Sequence, residues 1–387
     1  MIRQTRYVYF ATCPRGLEPP LLAELELLGA EQASAVAGGV AFSGPLELCY
    51  RTNLESRIAS RILLKLGSAP YKTDEDVYRF ARGIAWTDRF EVARSIRVDV
   101  TASRSPLKSL EFVTLRIKDA ICDCFRDATG ERPNVDTRAP DVRISGFFDD
   151  KNVTLYLDTS GEPLWKRGWR IEAGEAPLRE NLAAGILALT GWDGIEPLLD
   201  PMCGSGTFVI EAAMIALGIP PGHKRGFGFE RLNGFDEPLW RRMREAALTR
   251  RRPSARLPIW AGDRSLPDVE QTRANLRAAG LEGCVHTRAV DVLKLEAPEP
   301  AGVLVANPPY GVRLEDKTSL AAFYPKLGDA LKQHFAGWRC FLFSGDTELA
   351  KGIRLHPSRK TPLFNGALEC RLYKYEIVAG SMRKDKA

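Results

Sequence analysis

The sequence predicts an α/β architecture, with a doubly wound, mostly parallel sheet in its C-terminal half and smaller α+β units before it. Three observations carry this. From Leu178 onward, short apolar runs recur, each ending in a polar cluster and followed by a helical pattern. Strands alternating with helices in this way mark a parallel sheet with right-handed crossovers. Before that point, strands and helices alternate in shorter, mixed pieces, and the Gly-, Pro- and charge-rich stretch Gly161–Pro177 separates the two regimes. At 387 residues the chain is also too long for one compact domain.

Taken in order, Tyr7–Thr12 reads as a short strand and Leu17–Leu28 as a helix closed by Gly29. Gly39–Phe42 is a strand and Pro45–Ser56 a second helix. Arg94–Ala102 alternates in strand fashion, Glu111–Ala128 has helical periodicity ending at Gly130, and Asn152–Asp158 is β-branched and apolar. In the second half Leu178–Leu189 is helical. Strands are predicted at Pro197–Leu199, Pro258–Gly262, Cys284–Val292, Gly302–Ala306 and Cys340–Phe343. Doubly wound sheets bind ligands at the carboxyl ends of their strands, so the strand ends are where function is to be sought.

Composition narrows the class. The net charge is +6, and residues 1–175 are neutral, with 25 basic and 25 acidic side chains. The excess lies downstream, where His223–Arg256 holds ten Lys or Arg against four acids. A concentrated basic run points to a polyanionic partner more than a total does. The eight cysteines are scattered with no CxxC pair, and with four histidines they build no metal site. They are expected to be reduced, mostly buried thiols of a cytoplasmic protein. No apolar run approaches the ~20 residues of a membrane span, and the first residues resemble a strand and not a signal-peptide core. A soluble protein is expected.

Two strand ends carry the chemistry. Leu198-Leu199-Asp200-Pro201-Met202-Cys203-Gly204-Ser205-Gly206-Thr207-Phe208 is a buried strand ending in an acid, a tight Gly-x-Gly turn and a helix start. The glycines let the backbone approach a ligand. The dinucleotide fingerprint's third glycine is absent. Asp200 would repel a pyrophosphate and suits a ligand with a cationic end. Ala306-Asn307-Pro308-Pro309-Tyr310-Gly311 follows an apolar strand. Two prolines fix the backbone, and Asn307 before proline is held extended. Its side-chain carbonyl and the Pro308 carbonyl can then align as two acceptors for an exocyclic NH2 group. Tyr310 offers a face for an extruded base. Asp263 and Asp291 end two further strands, where they could accept from ribose hydroxyls and an adenine amino group, or cap the helices that follow.

On these residues the chain resembles class I methyltransferases of the THUMP-domain RNA guanine-N2 group, in particular the bacterial 23S (large-subunit) ribosomal RNA guanine-N2 methyltransferases. The resemblance spans essentially the whole chain. Its most specific pieces outside the catalytic motifs are Leu157–Arg170, continuing through Ala176–Asn181, and Leu363–Leu372, similar to the family's closing β-hairpin. The resemblance implies a ferredoxin-like domain over 1–60, a THUMP RNA-binding domain over 61–165 and a linker over 166–177. A Rossmann-like methyltransferase domain with a seven-stranded sheet would follow over 178–380, with a basic insertion at about 218–257 and a polar tail at 381–387. It implies S-adenosyl-L-methionine as cofactor. Asp200, Pro201, Met202, Cys203, Gly204, Ser205, Gly206 and Thr207 would line its methionine end, Asp263 its ribose and Asp291 its adenine. Asn307, Pro308 and Tyr310 would hold the guanine, Asn307 also bordering the cofactor. No metal is implied. Enteric relatives carry a second, fused methyltransferase, and the match here is to the stand-alone form.

For the RNA itself, Arg241, Arg242, Arg244, Arg250, Arg251 and Arg252 are the first phosphate-binding candidates, with Lys108, Arg116 and Lys118 after them. The ordinary alternative for each is a solvated helix face. Three other functions share some of these features: a transfer-RNA guanine-N2 methyltransferase, a DNA or protein amino-group methyltransferase, and a non-catalytic RNA-binding assembly factor.

Overall fold

The computed structural model describes residues 5–171, 178–309, 314–346 and 351–378, which form two compact units. The first is built from the chain up to Cys13, Leu21–Leu164 and Gly222–Ala247; the second from Pro14–Pro20, Trp165–Pro221 and the chain from Leu248 on. Among the described residues no helix is long and apolar enough to cross a membrane.

The N-terminal half runs β1 (Tyr7–Thr12), α1 (Glu18–Leu27), β2 (Glu31–Val36), β3 (Gly39–Gly44), α2 (Leu46–Glu55), β4 (Arg61–Pro70), α3 (Asp74–Arg82), β5 (Ile96–Ala102), α4 (Leu110–Thr129), β6 (Val142–Phe148) and β7 (Asn152–Asp158). Its described strands form one seven-stranded sheet in the order β2-β3-β1-β4-β7-β6-β5. Every neighbouring pair is antiparallel except β5–β6. β4 pairs with β1 on one side and with β7 on the other, so the sheet is continuous across residue 60. Helix α4 starts where the Ser109 hydroxyl accepts from the Phe112 N–H and stops at left-handed Gly130. Its apolar face buries Val113, Ile117, Ile121 and Phe125 against Trp86, Phe90 and the sheet residues Ile144, Phe148 and Leu155. α3 is held by a reciprocal cap between Thr73 and Asp76.

The second half runs α5 (Glu180–Thr190), β8 (Leu198–Asp200), α6 (Thr207–Ala216), α7 (Glu237–Thr249), β9 (Ile259–Asp263), α8 (Leu266–Ala279), β10 (His286–Ala289), β11 (Gly302–Ala306), α9 (Leu314–His334), β12 (Trp338–Ser344), β13 (Arg359–Asn365) and β14 (Leu368–Glu376). Most of α7 belongs to the first unit. The second sheet has the order β10-β9-β8-β11-β12-β14-β13. It is parallel from β10 to β12, and β14 lies antiparallel to both β12 and β13. The chain steps outward from β8 through β9 to β10, then returns on the other side of β8 as β11. That reversal is the topological switch point, where a crevice opens beyond the strand ends. Below it, Leu199, Leu304, Tyr324, Leu331, Phe335, Trp338 and Tyr375 pack as one apolar core.

A buried ion pair lies in this half. Arg167 Nε and Nη2 donate to the Glu211 carboxylate over 3.2 and 3.3 Å, with both side chains essentially inaccessible. Removing one partner of such a pair strands a charge and costs about 3–5 kcal/mol, whereas an apolar replacement of both can be neutral. We expect Arg167→Met and Glu211→Leu each to lower the urea midpoint sharply and the double substitution to recover most of the loss. A double variant as unstable as the sum of the singles would contradict this.

Candidate active site

The site grows from the end of β8. Cys203 N–H donates to the Gly262 carbonyl over 2.9 Å and Gly206 N–H to the Cys203 carbonyl over 2.8 Å, folding residues 201–206 back over the sheet edge. Gly204 and Gly206 have φ of +50° and +83°, a region that favours glycine. At Gly206 a Cβ would also lie 2.8 Å from Thr272 Cγ2. From α8, the Thr272 hydroxyl donates to the Gly204 carbonyl over 2.7 Å and Asn275 Nδ2 to the Ser205 carbonyl over 2.9 Å. On the other side, Arg170 donates to the Ser205 and Thr207 hydroxyls over 2.9 and 3.0 Å and to the Glu180 carboxylate over 2.9 Å.

Asp263, at the end of β9, accepts from Gly204 N–H and from Ser265 N–H, each over 3.0 Å. Asp291 accepts from Leu293 N–H over 3.0 Å and so caps the short turn after β10. That strand covers His286–Ala289, shorter than the Cys284–Val292 expected, because Asp291 starts the turn. At the end of β11, Asn307 is half-buried and its Oδ1 is fully buried with no hydrogen-bond partner among the described residues. An uncompensated buried acceptor is costly, and one at a cavity wall is poised for a donor from a ligand. The buried Tyr324 hydroxyl donates to the Pro309 carbonyl over 3.5 Å.

These strand ends enclose a cavity of about 410 Å³ lined by Pro201, Met202, Gly204, Asp263, Asp291 and Asn307 together with Arg264, Ser265, Asp268, Val292, Pro309 and Phe323. The volume is that of a small-ligand site, about 300–1,000 Å³. Of the residues singled out from sequence, Asp200, Cys203, Ser205, Gly206, Thr207 and Pro308 are not among its walls. The first five build the turn beneath it, and Tyr310 lies outside the described residues. Asp200 is buried and accepts from Met202 N–H over 3.1 Å. Burial first, and the charge of Asp263 second, push its pKa well above the usual carboxylate range. Burial likewise pushes up the Cys203 thiol. Among the described residues no cluster of side chains could hold a metal ion.

Comparison with known proteins interprets this crevice. Residues 167–374 match the RMKL-like methyltransferase domain, 71–158 the THUMP domain and 8–63 the RlmL ferredoxin-like domain. The chain belongs to the RMKL-like methyltransferase family. It is 38% identical over 370 residues to the Synechocystis sp. protein slr0064, provisionally named an RNA methyltransferase, covering 95% of this chain and 96% of that one. It is 41% identical over 376 residues to the ribosomal RNA large subunit methyltransferase K/L of Methylococcus capsulatus, with 95% of this chain and 51% of that one matched. The chain thus spans about half the length of its K/L relatives. The SMU.472 methyltransferase, solved as a complex with S-adenosylhomocysteine, superposes with a TM-score of 0.87 at 30% identity, covering 98% of this chain and 100% of that one. The protein is a class I methyltransferase with S-adenosylmethionine as cofactor, and the cavity, the glycine turn and the acids at the strand ends fit that molecule.

Sequence reasoning did not single out Arg170, Thr272 or Asn275. Thr272 and Asn275 are three residues apart on one face of α8, a spacing visible in the sequence, although nothing there names the turn they hold. The basic candidates are dispersed. Arg241, Arg242 and Arg244 lie exposed on α7 in the first unit, and Arg250, Arg251 and Arg252 lie exposed in the second. Several are engaged: Arg241 with Glu237 at 2.6 Å, Arg244 with the His223 carbonyl at 2.8 Å, Arg251 with Ser254 at 3.3 Å. Arg116 pairs with Asp74 and Glu75 and stacks on Tyr78, Lys118 pairs with Asp119, and Lys108 is exposed.

Two outcomes follow from the turn. Gly206→Ala combines left-handed strain of about 1–2 kcal/mol with the Thr272 clash. It should lower the unfolding midpoint more than Gly204→Ala, whose Cβ meets open space. Gly204→Ala should instead act on S-adenosylhomocysteine affinity in calorimetry, because that space is the cavity. The reverse ranking in stability would refute the assignment. Asp200 supplies the second. Its raised folded pKa means that the fold favours the protonated carboxyl. That contribution is complete below the unfolded value of about 4 and is lost as pH rises through the folded value. Asp200→Asn keeps an acceptor for Met202 N–H. It should therefore raise the apoprotein's Tm at pH 7.5 by a few degrees, with the difference shrinking towards pH 4. A Tm difference independent of pH would sink the idea.

Proposed function

We propose that this protein transfers a methyl group from S-adenosylmethionine to the exocyclic N2 of a guanine in large-subunit ribosomal RNA, in the cytoplasm. The observation that carries the reading is Asn307. Its Oδ1, buried and without a partner among the described residues, stands at the switch-point cavity, beside the turn that fits the cofactor's methionine end. The K/L relatives, named for ribosomal RNA, and the THUMP match over residues 71–158 support RNA as the substrate.

S-adenosylmethionine supplies a methyl already activated on a sulfonium sulfur. The protein supplies position. The Asp200–Thr207 turn holds the methionine end, Asp263 accepts from the ribose hydroxyls and Asp291 from the adenine amino group. Asn307 Oδ1 and the Pro308 carbonyl accept the two N–H groups of the target amine, and Tyr310 stacks on the base. Guanine N2 is a poor nucleophile because its lone pair is delocalised into the ring. Two acceptors on its hydrogens favour the pyramidal, partly positive nitrogen of the transition state. The methylated nitrogen is acidic and releases its proton late, so no dedicated base is required. Holding the nitrogen in line with the methyl can itself supply several kcal/mol, up to ~7–11 in ideal cases. An amine inside an A-form helix is out of reach, so the target is a loop nucleotide or one flipped from its stack.

The test is methyl transfer from labelled S-adenosylmethionine to unmodified large-subunit ribosomal RNA and to bulk transfer RNA, followed by nucleoside analysis. Labelled N2-methylguanosine from the ribosomal RNA is expected. Asn307→Ala should reduce kcat/KM by about 10²–10³, a larger effect than on S-adenosylhomocysteine affinity. Product from transfer RNA alone would overturn the substrate, and labelled N6-methyladenosine would overturn the acceptor.

A further inference from the structure

Two stretches prominent in the sequence, the junction residues around Trp165–Ile171 and Leu178–Asn181 and the hairpin at Leu363–Leu372, are not among the walls of the cavity. In the second unit they meet each other and the loop before α1. The Arg179 guanidinium lies 5.2 Å from the Trp165 ring centroid, with Lys166 Nζ 6.0 Å from the same ring. The Arg15 guanidinium lies 4.4 Å from the ring of Phe364. The two stacks share the hairpin tip, where a Cβ built on Gly366 would stand 4.0 Å from Arg179 Nη2. Arg15 and Arg179 are exposed, and Trp165 and Phe364 are half-buried.

A guanidinium lying on an aromatic face is fixed in orientation, and its N–H edges remain free for a planar or tetrahedral anion. Such cations differ from those of α4 and α7, many of which are neutralised by carboxylates on their own helix or its neighbour. Among the described residues neither Arg15 nor Arg179 has an ion-pair partner. The patch is also coupled to the methyl-transfer site along the chain. Arg179 immediately precedes Glu180, the carboxylate that Arg170 ties to the Ser205 and Thr207 hydroxyls.

We propose that Arg15 and Arg179, held on Phe364 and Trp165, form a docking surface for the phosphates of the single-stranded RNA segment that carries the target nucleotide. The arginines grip the backbone, and the rings fix them beside the strand instead of reading its bases. The inference rests on the RNA reading above.

The test uses the full chain and a fluorescent twelve-residue oligouridylate in anisotropy titrations across a KCl series, with S-adenosylhomocysteine binding as a check of folding. Arg15→Gln/Arg179→Gln should weaken oligouridylate binding by about tenfold. It should also reduce the slope of log K against log salt by roughly 1.4, close to 0.7 for each of two phosphates on a single strand. Trp165→Leu and Phe364→Leu should weaken binding with the slope largely kept, because the charges remain. Unchanged affinity and slope in the double-arginine variant, alongside intact binding and methylation by the unsubstituted protein, would overturn this surface and leave the RNA reading standing. Failure of the unsubstituted protein to bind oligouridylate or methylate any RNA would overturn both.

Discussion

The order in which the chain lays down its parallel strands is the constraint on which the site depends. Leaving β8 towards β9 and β10, then coming back on the far side as β11, puts the loops after β8 and β11 side by side with no crossover between them. The crevice is therefore a consequence of connectivity, and the loops that follow β8, β9 and β11 face it whatever their residues. What the sequence adds is chemistry suited to that position: glycines where the backbone must turn back, acids that accept, and a proline-fixed amide.

The turn after β8 is held from both sides by polar contacts that keep it in place without a ligand. Thr272 and Asn275 hold its carbonyls from α8, and Arg170 holds its hydroxyls from the junction segment. Beneath the crevice, Asp200 is buried near the charge of half-buried Asp263. A structure built for stability alone would not place two carboxyl groups there. A buried acid beneath a cavity whose wall carries an amide oxygen without a partner among the described residues is the local inconsistency expected where a fold serves a ligand.

Much of this was legible in the sequence. β1, β7 and β11 begin and end where the apolar pattern does, and the glycine turn and Asn307–Pro309 sit at the strand ends where they were sought. What escaped did so for physical reasons. β4 contains Gly67 and ends at Pro70, and its burial along the strand is graded without clean alternation, so it lacks the period-two signature. β2 is a mostly exposed edge strand whose composition, Glu-Gln-Ala-Ser-Ala-Val, has little β preference. α3 begins Asp-Glu-Asp after Thr73 and buries little more than Val77 and Ala81, so its capping residues announce it more than its apolar pattern does. Nor does the sequence show the contact of Arg170 with the Ser205 and Thr207 hydroxyls. That contact spans 35 and 37 residues, beyond anything a local pattern encodes.

Charge was the least legible property, and the reason is general. A run of arginines in sequence is a count of charges, whereas affinity for a polyanion depends on which of them are free, fixed and on one surface. The cluster between His223 and Arg256 is split by the fold, three of its arginines on α7 and four in the other unit, and several spend their donors within the protein. Arg15 and Arg179 are isolated in the sequence and invisible to such a count. The fold sets each on an aromatic ring, which orients the cation without neutralising it. A carboxylate partner would have oriented it as well, at the cost of the field that reaches a phosphate. For affinity towards a polyanion, a few pre-oriented, unneutralised cations on one surface are worth more than a larger number dispersed over helix faces.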